Sequence, residues 1–290
     1  MTTANRIFDA AAVRRNRQRS SSMDKGALFL HQSAAESLIE RRRDIARDLP
    51  EAAIHGGRGL VRREDLRVER LLELDSAPGL VPGDGCVCEP DFLPLKDGAF
   101  DAVFSLLSLH TVNDLPGSLI QINRALKPDG IFMAALFSIG TLEPVRSAFL
   151  AADSETTGGA SPRVAPFVDV RDAGALLQRA GFVMPVADTE DVVVRYSSPL
   201  SLMSDLRAMG EANALTERSR RLLRRDTLGH ALATLEALRD ADGKIPVQFC
   251  LTFMTGWAPG PDQPKPLAPG SAKTRLADAL GTTETKLANH

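Results

Sequence analysis

Residues 51 to 60 read EAAIHGGRGL, with Gly56, Gly57 and Gly59 following a short apolar approach. Glycines at a strand-to-helix turn let a backbone come close to a cofactor, and the loop assigned here is Gly57 and Gly59. Asp75 lies 18 residues beyond Gly57, near the spacing at which an acid reaches ribose hydroxyls. Glu89 closes the next short apolar stretch and is placed to accept a hydrogen bond from an adenine amino group, with Phe92 packing on the ring. Two glycines with one residue between them also make ordinary turns, and an acid after a strand is often a solvated end. The order loop, acid, acid, followed by the strand-helix-strand unit of 100–137, is what points to a nucleotide-type cofactor.

Other residues suited to chemistry are few. His110, Asn113 and Asp114 follow the apolar run AVFSLLSL, at the strand edge where function sits. His110 and Asp114 are the catalytic candidates, with His110 as a base. The alternative reading is a hydrogen-bonded histidine at the lip and a helix cap at Asn113 or Asp114. Cys86 and Cys88 have no nearby histidine or second cysteine pair, so they read as strand packing rather than zinc ligands. No pattern for an iron facial triad stands out, and no metal site is expected. RSRRLLRR (218–225) reads as five arginines on a helix, either a solvated face or a dock for an acidic partner.

The elements that must position these residues follow from periodicity. SAAESLIERRRDIARDL (33–49) reads as a helix, with Ser33 and Glu36 as a capping box and Pro50 as the stop. Strands are predicted at 52–57, 67–75 and 86–90. FDAVFSLLSLHTVNDLPGSLIQINRALKPDGIFMAALF (100–137) reads as strand, helix, strand, hence parallel pairing with a right-handed crossover. The stretch 170–182 reads as a helix with Gly181 as its C′ residue, 190–196 as a strand, 199–240 as two Leu- and Arg-rich helices, and 246–257 as a period-two strand. The stretch 258–273 holds too much Pro and Gly to pack regularly.

Composition bounds the function. The chain has 290 residues, 43% hydrophobic, enough for one large domain with an appendage. A net charge of -2 and 5% aromatic residues argue against a nucleic-acid binder. No apolar run reaches the ~18 residues of a membrane span, and no secretory h-region is present. Three cysteines make no disulfide framework, which suits a reducing cytoplasm. VRRNRQRSSS near the start is Arg- and Ser-rich, as transit peptides are, but reads better as a basic structural helix.

LPLKDGAFDAVFSLLSLHTVNDLPGSLIQINRALKPDG resembles class I S-adenosylmethionine-dependent methyltransferases. More narrowly, it is similar to the branch holding the malonyl-carrier-protein methyltransferase of biotin synthesis and the mitochondrial complex I assembly factors with their alphaproteobacterial relatives. Those assembly factors are protein arginine hydroxylases despite their methyltransferase fold. IFDAAAVRRNRQRSS at the start and TGWAPGPDQPKPLAPGSAKTRL at the end extend the likeness along nearly the whole chain. Because IFDAAAVRR begins at residue 7, no room is left for a cleaved transit peptide, and a bacterial cytoplasmic protein is expected.

The family loop reads apolar-Asp-apolar-Gly-Cys-Gly-x-Gly. Here its acid falls on Ala53 and its first glycine on His55. Loss of a charged partner at the methionine end weakens binding by about 1.5–3 kcal/mol. The resemblance therefore implies weak S-adenosylmethionine binding through Gly57, Gly59, Asp75, Glu89 and Phe92.

The expected architecture is an α/β, Rossmann-like three-layer sandwich of the class I methyltransferase type. Its sheet is mostly parallel, with a C-terminal antiparallel strand and a helical insertion before it. The expected segments are an N-terminal helical part (1–50), a cofactor-binding core (51–198), a helical insertion (199–243), a final strand (244–257) and an extended tail (258–290). The expected function is a methyltransferase-type enzyme acting on a protein or carrier-protein substrate. The alternatives are a complex I assembly protein of the arginine-hydroxylase kind and a non-catalytic binding module. The expected partner is an acidic protein or carrier protein, with a respiratory complex I subunit as the resemblance implies; nucleic acid is not expected.

Overall fold

Strand β1 (Glu51–His55) is apolar over 52–54 and lies inside the sheet between β2 and β4, so it is buried on both faces from Ala52 onward. Around it the chain builds β2 (Arg70–Asp75), β3 (Cys86–Val87), β4 (Phe100–Leu106), β5 (Leu126–Phe137), β6 (Val183–Tyr196) and β7 (Ile245–Trp257). The sheet order is β3-β2-β1-β4-β5-β7-β6. The first five strands are parallel, and β7 inserts antiparallel between β5 and β6. The computed structural model describes residues 6–261, 263, 277–278 and 281–282.

Helices cover both faces. Ile54, Phe104, Met133 and Leu251 point to one side, where they meet α2 (Phe29–Arg43), α5 (Glu143–Thr157), α7 (Pro199–Met209) and α8 (Arg225–Glu236). Ala53, Val103, Phe132 and Ala134 point to the other, under α4 (Leu115–Ala125) and α6 (Val170–Arg179). This alternation of faces along each strand makes the three-layer sandwich. Helices α7 and α8 lie between β6 and β7 in the chain, as expected of the insertion. Among the described residues, no helix is long and apolar enough to cross a membrane.

Several elements differ from the sequence reading. Helix α2 starts at Phe29 and ends at Arg43, so Ser33 and Glu36 are interior and form no capping box. Its buried stripe is Leu30, Ala34, Ala35 and Leu38, which begins a turn earlier than the capping signal. Its end is made by Arg42, 1% exposed, whose guanidinium donates to the carbonyls of Ile45 and Arg47; a proline stop at Pro50 is not needed. Strand β2 begins at Arg70 rather than Arg67, because Arg67 (φ 53°) closes a short helix, α3 (Arg63–Leu66). Helix α5 had no counterpart in the reading. RSRRLLRR is not a helix: α8 starts only at Arg225, and residues 217–224 are irregular. Leu222 there is 97% exposed and adds nothing to an apolar helix face.

The chain divides after Pro259 into two units. In the second, described in part, Gly260 N–H donates to Gln263 and Thr282 N–H donates to the Ala277 carbonyl. Most of the tail expected over 258–290, including the end of the family-like TGWAPGPDQPKPLAPGSAKTRL, lies outside the described residues.

Candidate functional site

The first helix, α1 (Ala10–Ser20), controls the carboxyl edge of the sheet. Asp9 caps it, accepting from Ala12 N–H. Val13, Asn16, Arg17 and Ser20 recur at helical spacing on the buried side, so the helix packs a polar stripe inward. Arg17 reaches Asp75 at the end of β2 in a bidentate pair, Nε to Oδ1 at 2.9 Å and Nη2 to Oδ2. Both side chains are at most 5% exposed. Burial pushes the Asp75 carboxyl up, but Arg17 outweighs it and holds the pKa at about 2. One turn earlier on α1, Arg14 takes Glu89 at 2.9 Å in a solvent-exposed pair. Both acids assigned to a nucleoside therefore face arginines of α1. Arg17 is thus an interior residue, while Arg14, Arg15 and Arg19 of the same helix are exposed.

The glycine loop has a defined backbone role. Gly56 (φ 79°) donates to the Leu74 carbonyl, and a Cβ there would lie 2.5 Å from the Leu106 carbonyl oxygen. Gly59 (φ 69°) is open, with nothing within 4 Å of a built Cβ. The loop leads to α3, a single turn, so no long helix presents its N–H groups to the loop. His55 is buried and shares a hydrogen bond with Ser108 through Nδ1. Burial lowers its pKa to about 4, with Asp75 opposing and Arg17 adding to the shift. Arg58 donates Nη1 to Ser20 Oγ, while its Nε and Nη2 are buried without a protein partner. Burial and nearby Arg17 lower its pKa to about 9. Phe92 is 74% exposed.

A second feature opens beyond β4 and β5. His110 sits on a 3-10 turn (Leu109–Thr111) and its Nε2–H donates to Glu211 Oε2 at 3.0 Å. Their side chains are 2% and 13% exposed. His110 also meets Phe137 edge-on, with ring centroids 5.0 Å apart. Burial raises the Glu211 pKa, but His110, Arg58 and Arg17 outweigh it, and the net direction is down. The pair lines a cavity of about 300 Å³ whose walls include Phe8, Phe137, Phe149, Phe167 and Phe249. Arg163 borders the same cavity but is tied to Asp153, and Arg207 is exposed at its margin.

Of the two catalytic candidates, then, His110 faces the cavity. Asp114 is exposed and caps α4, accepting from Gly117 N–H at 2.8 Å. Asn113 accepts from Phe8 N–H and donates back to the Phe8 carbonyl. The sequence reading missed Arg17, Arg58 and Glu211. Arg17 carried one signal, its place among residues 13, 16 and 20 on one helix face. Glu211 carried none.

The sheet order, with β7 alone antiparallel and the acid ending β2, defines a class I methyltransferase fold. Comparison with known proteins agrees. The family description "Methyltransferase domain" matches residues 67–134. The solved structure of YcgJ from Bacillus subtilis covers 78% of this chain and 99% of its own, at a TM-score of 0.50 and 14% identity. The arginine hydroxylase NDUFAF5, mitochondrial, of Danio rerio is 37% identical over 94% of this chain and 89% of its own length. The malonyl-[acyl-carrier protein] O-methyltransferase of Halorhodospira halophila is 31% identical over 87% and 89%. The chain belongs to the family of these two relatives, within the S-adenosylmethionine-dependent methyltransferase superfamily.

S-adenosylmethionine is the cofactor of that superfamily, and the sequence reading assigns Gly57, Gly59, Asp75 and Glu89 to it. In the arrangement described they do not fit it. Asp75 is 1% exposed and spends both oxygens on Arg17, and Oδ1 also accepts from Ala77 N–H. Ala53 is fully buried and brings no carboxylate to the methionine end.

Proposed function

We propose that this chain acts on an arginine side chain of a protein substrate, which enters the aromatic cavity and meets Glu211. The observation that carries this reading is the buried His110–Glu211 pair inside apolar walls. Methylene groups of an arginine suit the phenylalanine lining, and a guanidinium suits a carboxylate. Glu211 Oε1 accepts no hydrogen bond from the described residues, so one oxygen is left for the substrate while Oε2 holds His110. His110 is the group placed to take a proton. The name of the NDUFAF5 relatives, arginine hydroxylase, supports the same substrate.

A second reading is favoured by the exposed Arg207 at the cavity margin: a carboxylate-ended acyl chain on a carrier protein, as the O-methyltransferase relatives' name implies. Under either reading the partner is a protein or carrier protein with an acidic face, a respiratory complex I subunit among them, met by the exposed arginines of 218–225. A bacterial cytoplasmic location goes with the free thiols of Cys86, Cys88 and Cys250.

Calorimetry with an arginine-containing peptide and its citrulline isostere tests the first reading. The arginine peptide should bind at least about tenfold more tightly, and Glu211→Gln should remove the difference. Equal affinity for both peptides rules the reading out. Mass spectrometry of a modified substrate then tells the reactions apart, since hydroxylation adds oxygen and methylation adds carbon. An unmodified substrate that still binds leaves the binding-module reading.

A further inference from the structure

We infer that α1 is an internal competitor for the nucleoside end of the cofactor, and that its release opens the cofactor face and the aromatic cavity together. The competition is direct. Arg17 occupies both oxygens of Asp75, and Arg14, three residues earlier on the same helix, occupies Glu89. A ribose diol reaches Asp75 only by displacing a guanidinium, and a neutral hydroxyl is the weaker partner for a carboxylate. The helix lies hard against the turn after α7 as well: a Cβ built on Gly210 would be 3.4 Å from Arg17 Cα and 3.3 Å from Ser20 Cβ. With α1 seated, no space remains between it and that turn.

The coupling to the cavity follows from what else α1 and its leading residues hold. Phe8 bridges Leu215 antiparallel, with Asp9 N–H donating to the Ala214 carbonyl and Thr216 N–H to the Ile7 carbonyl. Asn16 donates to the Ala212 carbonyl at 2.7 Å, and Arg218 pairs with Asp9 at 2.8 Å. Phe8, Ala12, Val13, Ala214 and Leu215 form a small apolar cluster of their own, separate from the two main cores. The segment 211–218 and the α1 region are thus one packed unit. That unit supplies Phe8, Ala214, Leu215 and Glu211 itself to the cavity wall. Moving α1 off Asp75 pulls on the residues that roof the cavity and hold His110.

Sealing the site sets the apparent affinity. A ligand that binds only the open state has its affinity reduced by the fraction open. S-adenosylhomocysteine is the probe, since it carries the nucleoside without a reactive methyl group. Its affinity, read by calorimetry on the full chain, should rise at least about tenfold in Arg17→Gln and about two- to fivefold in Arg14→Ala. Arg14 is an exposed residue, so the second variant tests the same competition if the first does not fold. Hydrogen exchange on the native chain gives an independent reading. Adding S-adenosylhomocysteine should speed exchange in residues 10–20 and 211–218 together. Unchanged or weaker binding in a folded Arg17→Gln or Arg14→Ala variant overturns the inference. So does ligand-induced protection of residues 10–20, or faster exchange in that helix with 211–218 unmoved. None of these readouts involves an arginine substrate, so the inference and the proposed function fail separately.

Discussion

Arg17 Nε donates to Asp75 Oδ1 at 2.9 Å across 58 residues of chain, and solvent reaches neither side chain appreciably. Removing one partner leaves an uncompensated charge inside the protein. Asp75→Ala should therefore destabilise the fold by roughly 3–5 kcal/mol, while Arg17→Met with Asp75→Leu should cost much less. Urea unfolding of the three proteins checks this. Equal losses for the single and double variants would mean that the pair contributes packing rather than charge balance.

His110 is expected to act on the proton and Glu211 on the substrate's position. His110→Asn should lower the modification rate by about a hundredfold or more with little change in substrate affinity. Glu211→Gln should raise the substrate Kd as well. Initial rates read by mass spectrometry, beside calorimetric affinities, separate the two. A His110→Asn enzyme with native rate removes the histidine from the chemistry.

Acid should weaken the fold from mildly acidic pH downward. His55 and His31 are buried and both have pKa values below the usual histidine value, His55 at about 4. For His31 the cause is burial, with Arg58, Arg17 and His110 adding to it. The unfolded chain binds these protons first as pH falls through 6.5, so stability is flat above that pH and drops below it, the His55 share down to about 4. The His55 share at pH 5 is about 2 kcal/mol. The Asp75 share, present above its unfolded value near 3.8, is lost only as pH falls toward about 2. Urea midpoints at pH 7.5 and 5 should differ in the native chain and differ less in His55→Gln, where the His31 share remains. An undiminished difference in that variant would assign the acid sensitivity elsewhere.

The exposed arginines of 218–224 should govern partner capture rather than folding. Arg220 touches Asp9 only at 3.5 Å and is 70% exposed, and Arg224 pairs locally with Asp226. Replacing Arg220, Arg221 and Arg224 with Glu should slow association and flatten its salt dependence, since such steering is screened within ~8 Å at physiological salt. Melting temperature should barely move. Native association kinetics in the triple variant would mean that the partner docks elsewhere.

Strand β7 should hold the slowest-exchanging amides. It is paired on both sides, to β5 over Leu251–Trp257 and to β6 over nearly its whole length. Residues 247–254 should exchange no faster than 131–136 in β5. Rapid exchange in β7 alone would show the C-terminal half of the sheet to open independently.

Much of the fold between β1 and β7 was legible, helix α5 apart, because its signals are local. The apolar runs of β4 and β5, the helical spacing of Leu115, Leu119, Ile122 and Leu126, and the alternation in 246–257 each concern neighbours in sequence. Capping was less legible. The S-x-x-E pattern at Ser33 is a fair start signal, yet the buried stripe from Leu30 onward outweighed it. The same holds for RSRRLLRR. Its helix-favouring residues lie where the chain is drawn into contacts with Asp9 and the Phe8 strand bridge, and tertiary contacts override propensity.

By itself the sequence determined the order of elements, the parallel unit over 100–137, the glycine turn at Gly56 to Gly59 and the acids that end β2 and follow β3. Those follow from periodicity, backbone conformation and spacing, which act over a few residues. Only the tertiary structure decided what these acids face. Arg17 meets Asp75 across 58 residues and Glu211 meets His110 across 101, and both depend on how α1 and the segment after α7 fold back over the sheet. A charge's partner is set by distance in space and by the low dielectric of a buried site, and neither is written in the order of residues.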